Sequence, residues 1–224
     1  MKERTAIILG ATGLVGSHLL DLLLADDYFN SVRILVRKPI SLSNPKLKME
    51  LVNFDDENDY EKKLGAGDSL FCCVGTTNKK VKGDKEAYRK VDYQIPVNAA
   101  RFGFAAGCRK YLLVSAIGAN ARSSNFYLRL KGETENAIVQ YRFEAVHLFR
   151  PSMLMGKRNE ARRGEAIVQS VMKLFSFLFI GSLRKYRPIA AIDVAKSMLA
   201  AAKSNDKGVF IESYEEMQSR LKGL

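Results

Sequence analysis

Residues Thr5 to Gly16 read TAIILGATGLVG: a short apolar run, three glycines spaced three apart, then an apolar helix. Such spacing suits the binding of a phosphate. Gly10 lets the chain turn sharply, Gly13 lets backbone come close to a pyrophosphate, and Gly16 lets the helix lie against the strand. Thr12, Leu14 and Val15 fall in the turn and the first helical residues, where N–H groups and the positive end of the helix dipole face an anion. Tyr127 and Lys131 form a second constellation, Y-x-x-x-K, one turn apart on one face of a helix. A phenol with an ordinary pKa of about 10 is a poor acid or base at neutral pH. A nearby ammonium stabilises the phenolate and lowers that value. Ser115, twelve residues before Tyr127, carries a hydroxyl that could bond a substrate oxygen on which negative charge develops.

The elements around these residues alternate strand and helix, which predicts a parallel sheet covered on both faces. After the strand at 6–9 and the helix at 14–24, Val32–Arg37, Leu47–Val52, Ser69–Val74, Tyr111–Ser115 and Ala145–Phe149 read as strands, and Val209–Glu212 as a last one. Helices are predicted over Asp84–Gly107, with a break near Pro96, and over Phe126–Tyr141, Glu165–Leu178 and Ile192–Ala202. The expected fold is α/β: a doubly wound parallel sheet of Rossmann type, one domain over 1–224, with a small C-terminal substrate lobe within about 151–224. In such a sheet, binding residues gather at the strand C-termini. Gly10, Arg37, Asp55, Gly75-Thr76-Thr77, Ser115 and Ser152 all fall there.

An acid about twenty residues after the glycines would grip the ribose 2′-hydroxyl of NAD. Here Arg37-Lys38 stands twenty-one residues beyond Gly16, without an acid. A guanidinium suits a 2′-phosphate, so NADP(H) is preferred over NAD(H). Asp55 could accept from the adenine amino group, with Asp56 and Glu57 as alternatives.

Glycines Gly10, Gly13 and Gly16, Ser115 and Tyr127-x-x-x-Lys131, in this order, resemble the short-chain dehydrogenase/reductase superfamily over most of the chain. Arg150-Pro151-Ser152 is similar to the segment beside the nicotinamide in extended and atypical members, and PIAAIDVAKSM, residues 188–198, to the segment after their substrate lobe. FCCVGTT, the SSNF run and Lys131-Gly132-Glu133 point to the Tat-interacting-protein branch, whose bacterial relatives are often labelled sugar-nucleotide epimerases or dehydratases. The resemblance implies that Tyr127 is the general acid/base, that Lys131 binds the ribose and lowers the tyrosine pKa, and that Ser115 polarises a carbonyl. Gly75, Thr76, Thr77, Pro151 and Ser152 would line the cofactor. Ala116 stands where a second serine is common, so Ser123 and Ser124 are alternatives to Ser115. The short region after Pro151 favours a small or lipophilic carbonyl compound over a nucleotide sugar. Three functions follow: an NADP(H)-dependent reductase, an NADPH-holding regulatory protein with little turnover, and an epimerase or dehydratase.

Thirty-six basic residues against twenty-four acidic ones give a net charge of +12. The basic residues are scattered, with clusters at 78–82, at Lys157-Arg158 with Arg162-Arg163, and at Arg184-Lys185-Tyr186-Arg187. No nucleic-acid motif accompanies them, so no nucleic-acid partner is expected. The three cysteines, two of them adjacent, lack metal-ligand spacing and suit a reduced protein. With no apolar run of membrane-spanning length and no leader, the expected location is cytoplasmic. The apolar segment Val171–Leu183 reads as a core or interface helix, with a peripheral membrane or lipid contact as the alternative. The helices after the fourth and fifth strands offer a homodimer face, though their composition does not demand one.

Overall fold

The computed structural model describes residues 4–77, 80–156, 184 and 186–222. Seven strands among them form one sheet: β1 (Thr5–Leu9), β2 (Ser31–Val36), β3 (Leu47–Leu51), β4 (Ser69–Cys72), β5 (Lys110–Val114), β6 (Ala145–Phe149) and β9 (Gly208–Glu212). Every pairing is parallel, in the order β3-β2-β1-β4-β5-β6-β9. The order reverses beside β1, between β1 and β4, and there a doubly wound sheet opens its binding crevice. A small second sheet pairs β7 (Leu154–Met155) with β8 (Ile189–Ala190).

Central strands are apolar on both sides because helices cover both faces. Ala6 and Ile8 face α1 (Leu14–Ala25), α6 (Ala191–Lys203) and Met217 of α7 (Tyr214–Leu221). Ile7 and Leu9 face α2 (Glu57–Leu64), α4 (Ile95–Ala105) and α5 (Phe126–Val139). The two apolar layers lock the strand ends at fixed heights, and so fix where the loops between them emerge.

The long helix expected over 84–107 forms, but Pro96 does not break it. It runs as α3 (Lys85–Arg89), one π turn (Lys90–Gln94) and α4. Pro96 has no N–H for the carbonyl four residues back, that of Asp92. Ile95 donates instead to Lys90, five residues back, and the hydroxyl of Thr134, 3.0 Å away, serves the Asp92 carbonyl. Proline thus shifts the register without ending the helix. The helix α2 and the β7–β8 pair were not expected from sequence. Glu165–Leu178 and Val171–Leu183 lie outside the described residues.

Candidate functional site

The glycine turn is built as its spacing requires. Gly10 has φ +79°, and a Cβ there would lie 2.7 Å from the Cys73 backbone. A Cβ on Gly16 would lie 2.1 Å from the Gly10 carbonyl oxygen, so α1 can start this close to β1 only with glycine. No side chain caps α1 and its first turn holds no acid, which leaves its N-terminus to an anion.

Two adjoining cavities open at these strand ends. The larger, about 610 Å³, is lined by Gly10, Thr12, Gly13, Arg37, Lys38 and Gly75, with Ile40, Phe54, Val91 and Ile95 as an apolar wall. The smaller, about 210 Å³, is lined by Gly13, Leu14, Val15, Gly75, Thr76, Thr77, Ser115, Tyr127 and Lys131. Gly13, Cys73, Val74 and Gly75 border both, so they form one continuous cleft. Its shape fits a dinucleotide: a glycine cradle that a Cβ would fill, cations at one end and a Tyr-Lys pair at the other.

Arg37 and Lys38 follow β2 directly and are exposed. Asp55 lies in a neighbouring groove beside Arg37, where its carboxylate pairs with Lys90 at 2.6 Å. Pro151 and Ser152 line neither cavity. The Pro151 carbonyl accepts from the Ile117 N–H at 2.9 Å, and the Ser152 hydroxyl donates to the Arg187 carbonyl. Ser123 accepts from the Asn125 N–H at 3.2 Å, and Ser124 is exposed. Neither lines the cleft, whereas Ser115 does.

Two buried carboxylates that sequence reasoning missed engage the chemical groups. Asp92, 1% exposed, sits in the π turn with its carboxylate 2.9 Å from Lys131 Nζ. Its other oxygen accepts from the Thr76 N–H at 2.8 Å. Burial alone would push the Lys131 ammonium down, but the charge of Asp92, the Tyr127 phenol and the hydrogen bond to Asp92 outweigh it, so Lys131 stays protonated. Tyr127 keeps 37% of its surface exposed at the cleft; partial desolvation raises its phenol, Lys131 pulls it down and Asp92 pushes it up, and the net direction is upward. The other carboxylate, Glu135, accepts the Ser115 hydroxyl at 2.5 Å. It is held in turn by the Arg150 guanidinium, through Nε at 2.9 Å and through Nη2. Tyr88 packs edge-on against Tyr127 at 6.3 Å, and its phenol is pushed up to about 12, chiefly by burial.

Residues 10–157 match a family model described as NAD(P)H-binding. The chain is 31% identical over 186 residues to Protein HTATIP2 of Rattus norvegicus, covering 82% of this chain and 73% of that one. It is 30% identical over 209 residues to Protein FMP52, mitochondrial, of Candida albicans, covering 91% and 90%. Among solved structures, a UDP-N-acetylglucosamine 4-epimerase from Methanobrevibacter ruminantium superimposes with a TM-score of 0.70 at 17% identity, over 95% of this chain and 77% of that one. A uronate dehydrogenase from Agrobacterium tumefaciens, complexed with NAD, does so with a TM-score of 0.70 at 14% identity, over 94% and 76%. These two likenesses are of fold. The sequence matches go further, and by them the chain belongs to the NAD(P)H-binding family, in the branch that holds HTATIP2 and FMP52.

Proposed function

We propose that the chain is an NADP(H)-dependent reductase of small or lipophilic carbonyl compounds. The observation that carries this reading is the single cleft, which has the glycine cradle and Arg37 at one end and Tyr127, Lys131 and Ser115 at the other. The N-terminus of α1 takes the pyrophosphate, while Arg37 and Lys38 take the 2′-phosphate by charge-assisted bonds. Two of the three Lys131 donors are left by Asp92 for ribose hydroxyls. A bound dinucleotide supplies the hydride. Tyr127 gives its phenolic proton to the carbonyl oxygen as the hydride reaches the carbon, and the tyrosinate is then reprotonated from solvent. Ser115 enters this step differently from the expectation. Its single proton is directed at Glu135, so it meets the ligand with lone pairs, and Tyr127 alone donates.

A second reading, an NADPH-holding protein with little turnover, is favoured by that same commitment of Ser115, which removes one donor from the carbonyl. Titration of nicotinamide fluorescence with NADPH and NADH, for the wild type and for Arg37→Glu, tests the cofactor assignment. NADPH should bind more tightly, and the substitution should weaken NADPH at least about tenfold more than NADH, as loss of a charge-assisted contact to one phosphate implies. Equal losses for both nucleotides would remove the 2′-phosphate assignment. Tight binding without NADPH consumption across a panel of carbonyl compounds would favour the second reading.

A further inference from the structure

Lys131 pulls the phenol pKa of Tyr127 down, and in this chain the charge of Asp92 opposes that pull. Asp92 and Lys131 are both almost wholly buried, at 1% and 5% side-chain exposure, and their charges meet at 2.9 Å. A buried pair of this kind gives up the hydration of both ions, and stability alone is weak grounds for keeping it. Three features hold Asp92 in place: the π turn that Pro96 imposes, the Thr134 hydroxyl on its carbonyl, and the Thr76 N–H on its carboxylate.

We propose that Asp92 is a positioning residue that cancels the charge of Lys131 and thereby holds Tyr127 as a neutral phenol, a proton donor, in the cleft. This rests on the reductase reading and deepens it: the cleft is set to give a proton, hence for reduction rather than for oxidation. The groups facing Tyr127 bear this out. Lys131 lies 6.0 Å from its ring on α5, with Asp92 behind it on the π turn. From α3 comes Tyr88, a neutral phenol. The loop after β4 brings Cys73, whose thiol burial keeps neutral, and Lys80 at the exposed end of the cavity. At the end of β5 stands Ser115, with the Glu135 charge behind it matched by Arg150. The Lys131 charge thus meets Asp92, and the Glu135 charge meets Arg150.

The test needs no substrate. Tyr127 is titrated in the protein without nucleotide by carbon-13 NMR of ring-labelled tyrosine, its signal assigned with Tyr127→Phe. In the wild type it should titrate above the ordinary phenol value of about 10. Asp92→Asn keeps an oxygen for the Thr76 N–H and removes only the charge. It should lower the titration by at least about one pH unit, the effect of an unscreened cation at this range. Lys131→Met should raise it, and the double variant Asp92→Asn/Lys131→Met should return to within about half a unit of the wild type. An unmoved or raised titration in Asp92→Asn overturns the proposal, as does a wild-type value below about 10. If Asp92→Asn does not fold with Lys131 uncompensated, the double variant decides, and a value more than about one unit from wild type overturns the proposal. NADPH titration of the same samples keeps the readings apart, because a chain that binds no nucleotide loses the reductase reading while the tyrosine shift stands or falls separately.

Discussion

At the residue scale, the cleft depends on a few positions where almost no other side chain fits. Gly16→Ala would place a methyl group 2.1 Å from the Gly10 carbonyl oxygen. Helix α1 must then move off the turn that its N-terminus serves. A stability loss of about 1–3 kcal/mol is expected from the overpacking, with NADPH affinity falling at least about tenfold as the N–H groups lose their aim. Thermal melting and fluorescence titration check the two effects separately, and unchanged NADPH binding would detach α1 from the phosphate site. The glycines, Arg37, Tyr127 and Lys131 were legible because the spacing that matters runs along the chain. Asp92 was not, because its partner lies across the fold on α5 and an aspartate in a helix reads as a solvated acid. Glu135 was closer to legible. Tyr127, Lys131 and Glu135 stand four apart along one helix face, and that stripe of polar residues on a helix against the sheet was itself a signal.

Elements whose apolar pattern was long were legible, and short capped ones were not. Strand β6 has the bounds read from its apolar run, because all five of its residues are buried. Helix α2 buries only Tyr60 and Leu64. Asp56 caps it by accepting from Asn58 and Asp59, so the acids that looked like adenine ligands include a helix start. Helix α7 buries only Met217, and its signal was the capping box of Ser213 and Glu216. The loop from Ser115 to Asn125 shows how two elements meet at the site. It lies directly on α5, where a Cβ on Gly132 would be 2.2 Å from Ala121 N. The Asn120 N–H donates to Leu128 at 3.0 Å, which closes the loop over the helix start. Gly132→Ala should lift this loop from the helix that carries Tyr127 and Lys131, at a cost of about 1–3 kcal/mol. Amide hydrogen exchange should then rise over 116–125 while β1 and β4 stay protected. A uniform rise across the sheet would mean that the loop is part of the core rather than a flap on it.

At the scale of the whole molecule, the sheet carries a charged clasp at its β6–β9 edge, and the clasp reaches the cleft. Buried His147 donates from Nδ1 to Glu212 Oε1 at 2.9 Å, and Arg220 on α7 bonds both Glu212 and Asp206. Burial pushes the Glu212 carboxyl up, but the hydrogen bonds from His147 and Arg220 outweigh it, and its pKa lies below the ordinary 4.5. Asp206 is likewise held below its ordinary 3.8, burial being outweighed chiefly by the Arg220 hydrogen bond. A carboxylate whose folded pKa is depressed stabilises the fold fully above its unfolded value and loses that contribution as pH falls through the folded one. The wild-type melting temperature should therefore drop as pH falls below about 4.5. Glu212→Gln should melt lower at neutral pH and show a shallower drop in acid, because the proton it would take up is no longer linked to folding. The clasp also bears on the chemistry. The Glu212 carbonyl accepts the Arg150 N–H at 2.8 Å, and Arg150 is the residue that holds Glu135 against Ser115. Loosening β9 should thus disturb the serine end of the cleft before the glycine end, which rests on β1 in the middle of the sheet. In Glu212→Gln at neutral pH, NADPH binding should persist while any turnover falls. Loss of both together would mean that the sheet responds as one unit and that the edge gives the site no separate support.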